Sequence, residues 1–211
     1  MTYAIGDVHG CFDALKDLLS KLPLTEGDEL VFLGDYVDRG PNSKEVILLL
    51  EELSKNYKCV FLRGNHEEML LNCVEKGREC DVWYFNGARA TLESFGGKEG
   101  LLEHLDFFRN TVYFYQKGHY VFVHAGVRPG IPLEKQHPFD LVWIRDEFIY
   151  SENPLPGKIV VFGHTPLMKP FVGEDKIGLD TGCVYGGFLT AFRIEDGTIY
   201  QVKCSSGGWF R

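Results

Sequence analysis

The chain repeats one arrangement five times: a short apolar run, then a glycine or histidine, then residues that carry charge or can bind a cation. Tyr3-Ala4-Ile5 leads to Gly6-Asp7-Val8-His9-Gly10, and Leu30-Val31-Phe32-Leu33 to Gly34-Asp35-Tyr36-Val37-Asp38-Arg39-Gly40. Cys59-Val60-Phe61-Leu62 leads to Arg63-Gly64-Asn65-His66-Glu67. Tyr120-Val121-Phe122-Val123 leads to His124-Ala125-Gly126, and Ile159-Val160-Val161-Phe162 to Gly163-His164-Thr165. Runs of this length and composition read as buried strands. Strands so placed gather their polar sequels at one sheet edge, where α/β folds bind ligands.

The segments between the runs set the fold class. Phe12, Leu15, Leu19 and Leu22 fall at helical spacing, and Ser43 is placed to cap a helix whose inner face holds Val46, Leu49, Leu50 and Leu53. Strand and helix in alternation imply right-handed parallel crossovers. Later segments change character. Val112–Gln116 and Tyr120–Val123 flank Lys117-Gly118-His119, and Phe188–Ile194 and Thr198–Lys203 flank Glu195-Asp196-Gly197, so both read as hairpins. The expected fold is α/β, with two mixed β-sheets sandwiched between helices in a single domain over residues 1–211.

Composition excludes several classes. At 45% hydrophobic and 25% charged the chain is globular in character, and its net charge of −8 speaks against a duplex-binding surface. The longest aliphatic run, Val46 to Leu50, is far short of the ~20 residues of a spanning helix. Met1–Ile5 runs straight into Gly6-Asp7 without a basic or long apolar stretch. We therefore expect a cytoplasmic protein with no nucleic-acid and no membrane partner. None of the six cysteines forms a C-x-x-C pair, so they are expected to be reduced and mostly buried rather than bridged or zinc-bound. No helix pattern carries a long heptad repeat, which fits a monomer.

The candidate ligands are Asp7, His9, Asp35, Asn65, His124 and His164. A donor set of carboxylate, imidazole and amide without thiolate suits Mn²⁺, Fe or Zn²⁺, and six donors are enough for two ions sharing a carboxylate.

The series GDVHG, GDYVDRG, GNHE, HAG and GHT resembles the calcineurin-like metallophosphoesterases, and GDYVDRG with GNHE resembles their phosphoprotein phosphatase branch in its compact bacterial and phage form. The motifs span residues 6 to 165, and Asp180-Thr181-Gly182 extends the likeness. The resemblance implies two divalent metal ions, with Mn²⁺ foremost. Asp7 and His9 would hold the first, Asp35 would bridge, and Asn65, His124 and His164 would complete the second. His66 would be the general acid, oriented by Asp38. Arg39 would clamp phosphate oxygens with Asn65 beside it. Arg145, in Trp143-Ile144-Arg145, would be a second clamp or else a structural arginine beside Asp146 or Asp140. Asn86-Gly87 with Thr91 fits helix capping. Two divalent ions would make the site attractive to phosphate despite the acidic chain, and would supply hydroxide near neutral pH.

The implied function is metal-dependent phosphomonoester hydrolysis, with phosphorylated proteins or peptides (phosphoserine and phosphothreonine) as substrates. The alternative is a symmetric bis(5'-nucleosyl)-tetraphosphatase. Glu67 of GNHE and Asp38 of GDYVDRG favour the phosphatase. A dinucleotide would also need basic and stacking residues, and the lysines and arginine considered, Lys169, Lys176 and Arg89, form no cluster in the sequence.

Overall fold

The structure is a computed structural model describing residues 1–205. Residues 206–211 of the expected domain lie outside the described residues. In chain order the strands are β1 (Thr2–Ile5), β2 (Glu29–Phe32), β3 (Lys58–Phe61), β4 (Phe114–Lys117), β5 (Tyr120–Val123), β6 (Ile159–Phe162), β7 (Phe171–Val172), β8 (Lys176–Gly178), β9 (Phe188–Arg193) and β10 (Ile199–Lys203). The helices are α1 (Phe12–Lys21), α2 (Ser43–Leu53), α3 (Asn65–Lys76), α4 (Cys80–Phe85), α5 (Ala88–Phe95), α6 (Lys98–Leu102), α7 (Leu105–Arg109), α8 (Pro138–Trp143) and α9 (Asp146–Ile149).

All five apolar runs are strands. β1, β2 and β3 pair in parallel through α1 and α2, and the β9–β10 hairpin adds antiparallel to β1. The first sheet therefore runs β10-β9-β1-β2-β3. The second runs β4-β5-β6-β8-β7, with the β4–β5 hairpin on one flank and parallel pairing from β5 through β6 to β8.

Strand alternation explains why the sheets stack. Ala4, Val31, Leu33 and Phe192 of the first sheet meet Phe122, Val161, Ile177 and Leu179 of the second in one apolar cluster. The opposite residues of β1 and β2, Tyr3, Ile5, Leu30 and Phe32, pack under Leu15, Leu18, Val46, Ile47 and Leu50 of α1 and α2. On the far side, Val121, Val123, Val160 and Phe162 pack against Leu141 of α8 and Phe148 of α9. The result is two mixed sheets sandwiched between helices, as expected.

Two expectations are corrected, and one region that the sequence left unassigned is filled. Asn42, not Ser43, precedes α2 as its cap residue, and the Ser43 hydroxyl instead accepts from the Asp38 backbone N–H at 3.2 Å. The cysteines are not all reduced: Cys73 bridges Cys80 and Cys183 bridges Cys204, leaving Cys11 and Cys59 free. The end of α3 and the start of α4 lie side by side, a juxtaposition that a seven-residue spacing does not announce. Finally, four short helices fill residues 80–109, where the sequence shows no sustained apolar period. Among the described residues, no helix is long and apolar enough to cross a membrane.

Candidate active site

Every sequence-nominated ligand leaves the end of a strand and turns into one buried pocket. Asp7 and His9 follow β1, Asp35 follows β2, Asn65 and His66 follow β3, His124 follows β5 and His164 follows β6; all are buried. The backbone is bent hard to achieve this. Seven non-glycine residues among those described have positive φ, and His9 (46°), Asp35 (52°), Asp38 (70°), Arg39 (69°) and His164 (63°) are five of them. Side chains rarely adopt that region, and such strain clusters at functional sites. Two glycines make room: a Cβ on Gly64 would lie 2.1 Å from Asp35 Oδ1, and one on Gly163 would lie 2.1 Å from Asp7 Oδ1.

Asp35 is the centre. Its Oδ2 lies 3.3 Å from His9 Nε2, and its Oδ1 lies 3.4 Å from His124 Nε2. The donor atoms of His9, Asp35 and His66 form one compact group and those of Asp35, His124 and His164 another, so the same carboxylate belongs to both. Backbone carbonyls fix the imidazoles: His9 Nδ1 bonds Val37 O at 2.8 Å and His124 Nδ1 bonds Leu33 O at 2.7 Å, which turns each Nε2 inward. Asn65 Oδ1 sits 3.0 Å from His124 Nε2 and 2.9 Å from His164 Nδ1, so these three side chains converge as expected.

The pocket is rich in acceptors and poor in donors, which is the chemistry a cation needs. Asp7 Oδ1 and His66 Nε2 are buried without a hydrogen-bond partner. Burial pushes the Asp7 carboxyl well up, and the carboxylates of Asp180 and Asp35 push it further. Burial raises Asp35 too, but the imidazoles of His124, His66 and His9 outweigh it and hold Asp35 well below the usual range. Burial takes the His164 imidazole down to about 2, which favours the neutral form that ligates metals. The residues therefore fit divalent ions: Asp35 has the placement of a shared ligand, with His9 on one side and Asn65, His124 and His164 on the other, while Asp7, whose Oδ2 accepts from the His164 backbone N–H at 3.0 Å, belongs to neither compact group.

Asp38 and His66 form the second feature. His66 Nδ1 and Asp38 Oδ2 are 2.7 Å apart, both fully buried. Asp38 is held in turn by Trp83 Nε1, which donates to Oδ2 at 2.9 Å, and by the Thr91 hydroxyl, which donates to Oδ1 at 2.6 Å. Thr91 is thus a support for Asp38 and not a helix cap. Sequence reasoning missed Trp83; its only sequence signal is an aromatic in a segment between charged residues.

Both arginines reach the pocket. Arg39 Nη1 lies 3.0 Å from His9 Nε2, and its guanidinium faces the Tyr185 ring at 5.6 Å. Arg145 Nε donates to His164 Nε2 at 3.1 Å. Asp140 is taken by Arg128, at 2.6 and 2.7 Å, so Arg145 is not its partner. Asp180, quoted in the sequence only as part of a motif, is a further buried carboxylate in the site's field.

A two-sheet sandwich carrying this donor set at its strand ends, with two arginines beside it, defines a metallophosphoesterase. The profile of the calcineurin-like phosphoesterases matches residues 2–187, and the chain belongs to that family. Among its curated relatives, the asymmetrical bis(5'-nucleosyl)-tetraphosphatase PrpE of Bacillus subtilis is 32% identical across 91% of this chain and 90% of its own. A symmetrical bis(5'-nucleosyl)-tetraphosphatase of Dechloromonas aromatica is 28% identical across 97% and 96%. A crystal structure of a putative diadenosine tetraphosphatase superposes with a TM-score of 0.76 at 26% identity, covering 98% of this chain and 94% of that one.

These relatives overturn the expectation of a protein serine/threonine phosphatase acting on phosphorylated proteins or peptides. The structure supplies the reason. Glu67, which favoured that reading, does not face substrate: its carboxylate accepts from the backbone N–H groups of Asp35 (2.8 Å), Tyr36 (2.9 Å) and Gly64 (3.0 Å). It braces the turn that carries Asp35. Asp38 serves His66. Both carboxylates are spent on holding Asp35's turn and the His66 imidazole, and neither faces outward to select what lies beyond a phosphate.

Proposed function

We propose that this chain hydrolyses bis(5'-nucleosyl)-tetraphosphates, with two divalent ions, Mn²⁺ foremost and Fe or Zn²⁺ as alternatives, held by Asp7, His9, Asp35, Asn65, His124 and His164. The reading is carried by tetraphosphatase relatives that align along nearly the whole of both chains. Relatives of both kinds align, and of the two described the asymmetrical one is the more similar, 32% identical against 28%. The expected products are therefore a nucleoside triphosphate and a nucleoside monophosphate.

When bound, the ions supply charge neutralisation for the polyphosphate and a water activated at neutral pH. The protein's own groups do the rest. Arg39 shares His9 Nε2 here, and a cation on that nitrogen would leave its guanidinium to phosphate oxygens, which it matches with paired donors; Arg145 holds His164 Nε2, the nitrogen opposite the Nδ1 that meets Asn65, and so flanks the same pocket. His66 offers Nε2 toward the pocket while Asp38 takes Nδ1. Burial pulls the His66 imidazole down against the upward pull of Asp35 and Asp38. A substrate phosphate beside Nε2 raises it again, as an opposite charge does, so the proton arrives with the substrate. The leaving group of an anhydride is itself a phosphate, a weak base, so His66 assists its departure less than it would an alkoxide's.

Chromatography of the products from Mn²⁺-loaded protein and diadenosine tetraphosphate tests this. ATP and AMP in equal amounts are expected. Hydrolysis of p-nitrophenyl phosphate with no turnover of the dinucleotide would overturn the proposal; two ADP would overturn the asymmetrical cut.

A further inference from the structure

A cavity of about 400 Å³ lies between α3, α4 and α8, beside the pocket just described. Met69, Val82 and Val142 contribute apolar wall, Glu68 and Glu79 contribute carboxylates, and Phe139 and Trp143 contribute aromatic surface. The two rings come from positions one helical turn apart and lie nearly parallel, with centroids 6.2 Å apart and planes at 26°. Phe139 is 61% exposed, so its ring face is open to a ligand.

Trp143 connects the cavity to the catalytic residues. Its ring meets the His164 imidazole edge-on at 5.9 Å, and Arg145, two residues on, donates to the same imidazole. Anything seated against Phe139 and Trp143 is thus adjacent to the group expected to hold phosphate.

The chemistry of the lining selects the occupant. Among the described residues that form it there is no lysine or arginine; Glu68 pairs with Arg63 at 3.3 Å and Glu79 accepts from Asn72 at 2.8 Å, so with His137 the lining offers carboxylate oxygens as acceptors and no cluster of cations for phosphate. It suits a flat, uncharged aromatic group whose edge donates hydrogen bonds. A nucleobase with an exocyclic amine has that character, and aromatic stacking is the usual way proteins hold a base. The volume lies in the range of small-molecule sites. A nucleoside seated here would direct its phosphate chain past Trp143 toward Arg145.

We propose that this cavity is the nucleoside subsite of the enzyme, with Phe139 and Trp143 stacking the base and Glu68 and Glu79 favouring bases that carry an amino group. The inference rests on the tetraphosphatase reading and supplies what the sequence did not show, the stacking surface a dinucleotide needs.

The test compares wild type, Phe139→Ala and Phe139→Tyr, all Mn²⁺-loaded. The ratio of kcat/KM for diadenosine tetraphosphate to that for p-nitrophenyl phosphate is expected to fall about tenfold in Phe139→Ala and to recover in Phe139→Tyr. Saturation-transfer NMR with adenosine should show transfer from wild type and Phe139→Tyr, and a clear loss from Phe139→Ala. Diuridine tetraphosphate should be turned over less efficiently than the diadenosine compound. If wild type cleaves the dinucleotide but neither the ratio nor the adenosine signal responds to Phe139→Ala, the subsite is wrong and the function stands. If wild type cleaves only p-nitrophenyl phosphate, the function is wrong, and the adenosine signal alone then decides whether the cavity binds a nucleoside.

Discussion

The indole Nε1 of Trp83 donates to the same carboxylate oxygen of Asp38 that meets His66 Nδ1, at 2.9 and 2.7 Å. Trp83 belongs to α4, which the Cys73–Cys80 bridge fastens to the end of α3, and α3 begins with Asn65 and His66. A tertiary contact across 45 residues thus sets the direction of the His66 imidazole.

Trp83→Phe keeps the ring and removes the donor. A hydrogen bond to a charged group contributes about 1.5–3 kcal/mol, so the thermal midpoint should fall. Loss of orientation at His66 should lower kcat for diadenosine tetraphosphate by about tenfold, or ~1.4 kcal/mol, with KM little changed. Steady-state kinetics beside a melting curve checks both; an unchanged kcat in a folded variant would show that Asp38 holds His66 unaided.

Asp35 belongs to both groups of candidate ligands, whereas His164 belongs to one. Metal analysis after dialysis should find two ions per chain in the wild type, fewer than one in Asp35→Asn, and about one in His164→Ala. Equal losses in the two variants would contradict the shared role of Asp35.

His66→Asn should reveal the leaving group. For an alkyl phosphate, whose alkoxide needs a proton, kcat should fall by roughly 10²–10⁴. For diadenosine tetraphosphate the loss should be at least tenfold smaller. Equal losses on both substrates would assign His66 to positioning rather than proton donation.

The disulfides make a prediction about thiols and stability. Denatured without reductant, the protein should titrate two thiols, Cys11 and Cys59, and six after reduction. Cys183→Ser with Cys204→Ser should lower stability by about 2–4 kcal/mol, read from chemical unfolding. Six thiols before reduction would restore the reduced state expected from the sequence.

The sequence by itself determined the five strands, the parallel crossovers, the two hairpins and the convergence of the candidate ligands. Each depends on local pattern: apolar runs of strand length, and donors within a few residues of a strand's end. Strands that pair side by side bring those ends together, so Asp7, Asp35, Asn65, His124 and His164 could be read as one site before any contact was known. Only the tertiary structure decided what surrounds it. Trp83 and Thr91 reach Asp38 from helices too short to show a period, and two cysteine pairs meet across turns. Glu67 turns inward to brace a backbone loop, where its motif had suggested substrate choice. Phosphoryl chemistry is legible because metal and phosphate dictate residue types at fixed spacing. The cavity proposed for the rest of the substrate is walled by side chains such as Phe139 and Trp143, which come from another part of the chain and share a surface with α3 and α4 only in the folded structure.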